Sequence, residues 1–222
     1  MQAHVRARWR ELKTLLLTNR GPKQTVTKNT FWLSFGEIAG RVLRLFIVVY
    51  AARVLGAAGC GALSYLTSLA AVLTVFSDVG LSSVIIREVT KRPDLKEKYF
   101  STAFSFKFIL TVLGFLTMIF VAPHVTKIEV SRLLVYLVGF LFIFDSLRRF
   151  GASLFRAAER IELEALVNII TQAVIVLAGF AALIIITSPE SLAAAYAIGA
   201  GVGLIITGYM LREELRNLLK SF

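Results

Sequence analysis

The stretch Thr30–Val54, TFWLSFGEIAGRVLRLFIVVYAARV, has the length of a membrane-crossing helix, yet Glu37, Arg41 and Arg44 lie inside it. About 20 apolar residues suffice for a hydrocarbon core of about 30 Å. On an insertion scale each charge near a helix centre costs roughly 2.5–3.5 kcal/mol, so three isolated charges approach a penalty on the order of 10 kcal/mol. A helix that tolerates this turns its charges toward protein or water. Glu37 and Arg41 are four apart with the acid first, the favoured order for a pair on one helix face, and Arg44 continues the stripe. Gly36 and Gly40 lie beside it at a spacing that lets another helix approach closely. The pattern predicts a charged stripe that faces a helix bundle.

The rest of the 222 residues extends this reading. Hydrophobic residues make up 57%, charged residues 18%, and the mean hydropathy is +0.74. That balance lies outside the range of soluble domains. Apolar runs alternate with short charged gaps, which predicts spans at 30–54, 62–86, 100–122, 131–152, 165–187 and 190–211. The fold class expected is an all-α integral membrane protein, a bundle of six transmembrane helices over residues 30–211. A basic tail, 1–29, precedes it and a second tail, 212–222, follows. The connections LGAAGCG (55–61) and TSPES (187–191) are short, and Ser188 before Pro189 has the form of an N-cap with proline at the first helical position.

The basic residues orient the bundle. The first tail holds Arg6, Arg8, Arg10, Lys13, Arg20, Lys23 and Lys28. The second connection holds Arg87, Lys91, Arg92, Lys96 and Lys98, and the fourth Arg148, Arg149, Arg156 and Arg160. With Arg212, Arg216 and Lys220 these make nineteen, against Lys127 and Arg132 in the opposite connections. The asymmetry predicts a multi-pass plasma-membrane protein with both termini cytoplasmic. Residues 4–19, HVRARWRELKTLLLTN, align Val5, Trp9, Leu12 and Leu16, which suits either an interfacial helix or a solvated basic tail.

Several function classes drop out. The net charge of +11 resides in gaps between apolar runs, where membrane lipids account for it better than nucleic acid does. Cys60 is the single cysteine, so no internal disulfide forms, and His4 and His124 are too far apart to seed a metal site. No metal and no other cofactor is expected. There is no Gly-rich phosphate loop, HExxH motif or Ser/His/Asp arrangement, so no catalytic residue is assigned and the chain does not read as an enzyme. Glu159, Glu162 and Glu164 read as a solvated helical face, and Ala195, Gly199, Gly203 and Gly208 as a close-packing surface.

Counting inward from the cytoplasmic ends puts Glu37, Asp78 and Lys107 roughly 10–14 Å deep, Arg41 slightly deeper and Asp145 roughly 5 Å in. Two readings stay open. Glu37–Arg41 and Arg44–Asp78 are neutralised pairs that fix helix packing, or the layer lines a hydrated cavity for an anionic or ion-coupled substrate. The surplus of arginine in the first span favours an anion, with Arg41 and Arg44 as headgroup-binding residues. Glu37, Asp78 and Lys107 then serve ion coupling or charge pairing, and Gly36 and Gly40 helix packing. A lysine as close to a helix end as Lys107 can also snorkel to the interface. Asp145 has Arg148 and Arg149 three and four residues on, which reads as a local pair.

Ala52–Glu88, ARVLGAAGCGALSYLTSLAAVLTVFSDVGLSSVIIRE, supplies a further signal. Ala52-Arg53-x-Leu55-Gly56, Gly61, Asp78-x-Gly80-Leu81 and Arg87-Glu88 occur here in order. Together with LFRAAERIELEA (154–165), this resembles the polysaccharide/oligosaccharide flippases of the multidrug/oligosaccharidyl-lipid/polysaccharide exporter superfamily. The similarity spans about residues 30–175, and Cys60 stands where an aromatic would be expected. The resemblance implies a flippase that moves a polyprenyl-(pyro)phosphate-linked oligosaccharide across the membrane for cell-surface polysaccharide biosynthesis. It also implies two six-helix lobes around a central cavity, of which this chain resembles the N-terminal one. The partners implied are membrane lipids, the lipid-linked glycan and a second six-helix lobe from the same or a separate chain. A drug or cation antiporter of the same fold, or a non-transporting subunit of a membrane glycan-synthesis complex, is the alternative.

Overall fold

The computed structural model describes residues 22–92, 96–125, 130–158 and 160–212. The stretch 4–19, most of both tails, Lys127 and Glu159 lie outside the described residues. Among the described residues seven helices follow one another: α1 (22–55), α2 (57–78), α3 (Leu81–Lys91), α4 (Lys96–Val125), α5 (Arg132–Ala157), α6 (Ile161–Ile185) and α7 (Pro189–Met210). Among the described residues there is no strand. The protein is an all-helical membrane bundle.

The expected seven-residue connection at 55–61 is almost entirely helical. Only Gly56 leaves the helix, at φ 67° and ψ −175°, a conformation that glycine adopts without a Cβ penalty. Gly59 and Gly61 continue as helix. The second expected span, in contrast, is broken. After Asp78 the backbone turns left-handed at Val79 (φ 39°) and Gly80 (φ 78°), and α3 starts anew at Leu81. A β-branched residue at positive φ is strained, and Val79 adopts it at an exposed turn.

Among the described residues four helical stretches are long and apolar enough to cross a membrane: Thr30–Asp78, which bends at Gly56, Lys98–Ala122, Ile161–Ile185 and Pro189–Met210. The expected fourth span differs. At 26 residues α5 is long enough, but Asp145, Arg148, Arg149 and Arg156 crowd its second half. It tolerates them because it is the most enclosed of the helices, with neighbours α4 and α7 along its flanks. Ser131 caps its start, accepting from Leu134 N–H, and Ser188 caps α7 in the same way, accepting from Ser191 N–H ahead of Pro189.

Small residues set the packing. A Cβ on Gly36 would lie 2.9 Å from Ala165 Cβ, and one on Gly40 3.2 Å from both Asn168 and Gln172. Further along, Ile47 meets Gly179. Thus α1 and α6 run parallel with their backbones close together. Between α6 and α7, Gly199 faces Ile175 and Gly203 faces Thr171, an antiparallel pairing. Gly208, expected on the same surface, has open space around it. One apolar core joins Ile47, Leu66, Met118, Phe142 and Leu192. A second joins Ile85 of α3 to Phe100, Phe150 and Leu211 at the other end of the bundle. Large side chains such as Leu45, Phe46, Phe106, Phe120, Leu177 and Ile184 point outward, as a helix surface bathed in acyl chains requires.

Candidate functional site: a cationic cavity between α1, α2, α4, α5 and α6

The break after α2 builds the first element. Lys107 on α4 is 1% exposed and points at the C-terminal end of α2. Its ammonium donates to Ser77 O and Ser77 Oγ, both at 3.2 Å, and lies 3.6 Å from Asp78 Oδ1. Ser82, on the first turn of α3, donates to that same carboxylate oxygen at 2.6 Å. Ser77 Oγ lies 3.1 Å from Ser146 Oγ, which lies 3.4 Å from Thr111 Oγ1, so the network reaches α5. Lys107 therefore does not snorkel, and it takes the carboxylate that Arg44 was expected to share. A buried lysine is retained only with such a set of partners.

On α5, Asp145 is held as expected by its own helix. Arg148 donates to Oδ1 through Nη2 at 2.7 Å and Nε at 3.3 Å, and Arg149 to Oδ2 through Nε at 2.6 Å. Arg148 is buried, and its stem lies where a Cβ on Gly203 would come within 2.8 Å. Two turns further on, Arg156 forks onto Glu164 of α6 through Nε and Nη2. The sequence places these arginines in a connection, but the structure keeps them on the continuous helix α5, with Arg148 buried and Arg149 and Arg156 exposed along the cavity. The signal available was their helical register, since 145, 148, 149, 152 and 156 recur on one face.

On α1 the pairing is loose. Glu37 and Arg41 lie 3.6 Å apart with side chains 56% and 83% exposed. Arg44 stacks on the Tyr196 ring of α7 with its guanidinium 5.4 Å from the centroid. No carboxylate among the described residues lies within ion-pair distance of Arg44. Its donors are thus oriented by an aromatic face instead of being consumed by an acid.

All of these charged groups except Asp145 line one cavity of about 460 Å³. It brings together Glu37, Arg41, Arg44, Asp78 and Lys107 and adds Arg148, Arg149 and Arg156. Six cations face three carboxylates (Glu37, Asp78 and Glu164). Counting Asp145, bound from behind by two of the arginines, leaves a surplus of two positive charges. Gly36 and Gly40 form its floor, where Asn168 Nδ2 donates to Gly36 O at 3.3 Å. Asn168 and Gln172 carried no signal in the sequence, being ordinary polar residues in a helix. Chemically, the site offers fork-shaped donors in a low-dielectric wall, the arrangement that binds phosphate. No group of three or more His, Cys, Asp or Glu side chains able to hold a metal ion occurs among the described residues.

A family model described as polysaccharide biosynthesis protein matches residues 26–222. No curated protein and no solved structure gives a significant match.

Proposed function

The chain belongs to the polysaccharide biosynthesis protein family, and on that premise we propose that it is a membrane flippase for polyprenyl-(pyro)phosphate-linked oligosaccharides. The observation that carries this reading is the surplus of positive charge in a cavity walled by apolar helices. A lipid-linked glycan has an apolar tail, a diphosphate anion and a neutral polar head. The cavity suits the anion, while the outward apolar faces of α1 and α4 suit the tail. A cation antiporter would need the opposite sign of surplus.

In this proposal the cavity opens to the cytoplasm, where the basic connections lie, and both termini are cytoplasmic. Arg41 and Arg44 engage the phosphates. Arg148 and Arg149 shape the field behind them, and Glu37 gives up Arg41 when substrate arrives. A second six-helix lobe, in the same protein or a partner, forms the opposite wall, and rocking of the two lobes moves the headgroup across.

Binding of polyprenyl pyrophosphate and of the parent polyprenol to the protein in lipid nanodiscs tests the reading. The pyrophosphate binds at least tenfold more tightly, and raising the salt concentration erodes the difference. Equal affinity for the two would remove the cavity from the role of headgroup site. A protein that binds the pyrophosphate but co-purifies with glycosyltransferases and leaves transport unaltered when deleted would be a non-transporting subunit.

A further inference from the structure

The cations that line the first cavity differ in what holds them. Arg41 pairs with Glu37, Lys107 with Asp78, Arg148 and Arg149 with Asp145, and Arg156 with Glu164. Arg44 instead has its guanidinium 5.4 Å from the centroid of the Tyr196 ring. Tyr196 belongs to α7, whose packing surface otherwise consists of small residues such as Ala193, Ala195, Gly199 and Gly203. Against them the tyrosine is the side chain that projects. It is 4% exposed and packs in the same apolar core as Ile47 of α1 and Leu192 of α7. A side chain enclosed in this way is held in one rotamer, so the ring is a fixed platform.

Arg44 needs such a platform because it borders two cavities. A second cavity, of about 390 Å³, lies between α2, α5, α6 and α7, and both Arg44 and Tyr196 line it, together with Thr67, Ser68, Gln172 and Asp145. It gives a long side chain room to turn away from the first cavity, and Asp145 offers an acid to turn toward. An arginine paired there would have its donors consumed, as those of Arg148 and Arg149 are. The face of an aromatic ring attracts the charge without taking up the in-plane N–H fork as a carboxylate does. Arginine also carries a large rotamer entropy, and a guanidinium already settled on a ring has surrendered part of it before a ligand arrives.

We propose that Tyr196 is a positioning residue of the phosphate site: the face of its ring holds the Arg44 guanidinium at the boundary between the two cavities, free of any acid, with its donors ready for the diphosphate. The inference rests on the flippase reading and deepens it. Tyr196 itself touches no phosphate, because it lines the second cavity and not the first. Its whole effect on the ligand passes through Arg44. The hydroxyl of Tyr196 also contacts Arg44, so a variant that keeps the ring and lacks the hydroxyl separates the two contributions.

The test titrates the full chain in nanodiscs with polyprenyl pyrophosphate and, as a control, the parent polyprenol. Tyr196→Leu, which keeps an apolar side chain and removes the ring, is expected to weaken pyrophosphate binding about fivefold, while Tyr196→Phe stays within about twofold of wild type. In an Arg44→Ala background the same Tyr196→Leu change alters affinity by less than about twofold, because a residue that acts only through the arginine has nothing left to act on. Should Tyr196→Leu show no cooperative melting transition, Tyr196→Met takes its place in each arm, since its unbranched chain adapts to the core. Wild-type affinity in the ringless variant overturns the positioning role. So does a Tyr196→Phe variant as weak as Tyr196→Leu, and so does an undiminished loss in the Arg44→Ala background, which would mark Tyr196 as a core residue only. All three leave the phosphate reading standing. A wild-type protein that does not prefer the pyrophosphate over the polyprenol overturns both.

Discussion

Two clusters of charge face each other across the first cavity, and they are built differently. On α5, Asp145 holds Arg148 and Arg149 at 2.6–2.7 Å, with Arg148 buried against α7. On α1, Glu37 and Arg41 are 3.6 Å apart and mostly exposed, and Arg44 rests on a tyrosine ring. Both lie on helices that pass through the same layer of the bundle, and both are arginine-rich. The difference is what each arginine would lose by turning toward a ligand. An arginine of α5 would abandon a short charge-assisted bond, whereas Arg41 would give up only a screened, solvent-exposed one. On the proposed reading the α5 wall is architecture, and the α1 wall is the one that turns to a ligand.

The largest effect should come from the most enclosed charge. Lys107→Ala removes the lysine that ties α4 to the end of α2, leaving Asp78 and Ser77 O without it. Breaking a buried pair in this way costs about 3–5 kcal/mol. Denaturant titration in detergent should show that loss, and an unaltered midpoint would mean that the α2–α3 turn does not depend on the pair. Next comes Arg148→Ala, which deletes two charge-assisted bonds to Asp145 and so should cost about 1.5–3 kcal/mol. Its effect on stability should exceed its effect on phosphate affinity. A variant as stable as wild type but unable to bind would erase the distinction between the walls.

On the other side, Glu37→Gln should change stability by less than about 0.5 kcal/mol, because the pair it breaks is exposed. It should also strengthen binding of polyprenyl pyrophosphate by a few fold, since it removes the acid that competes for Arg41. Weakened binding would place Glu37 among the ligand's own contacts.

Much of the bundle was legible in the chain because charge inside an apolar window is anomalous wherever it occurs. Glu37, Arg41, Arg44, Asp78 and Lys107 stood out for that reason, and the structure gathers them around one cavity. Partner choice was not legible. Asp78 was left open to Arg44 as well as to Lys107, and the structure pairs it with the lysine just before the turn at Val79–Gly80. Arg148 and Arg149 were counted with the fourth connection as basic residues near a helix end, although the helix continues through them to Ala157. At residues 55–61 three glycines looked like a loop, but one positive φ at Gly56 is enough to bend the chain. The second cavity left no mark at all, because single Thr, Ser and Gln residues on separate helices come to line one space only after packing.

If the α1 arginines bind phosphate while the α5 arginines hold the wall, the two roles separate in Arg41→Ala/Arg44→Ala, titrated with polyprenyl pyrophosphate in nanodiscs alongside its unfolding midpoint. The double variant should lose at least tenfold in affinity with stability changed by no more than about 2 kcal/mol, the upper value for the Arg44–Tyr196 contact. Wild-type affinity in this double variant would contradict that division of roles.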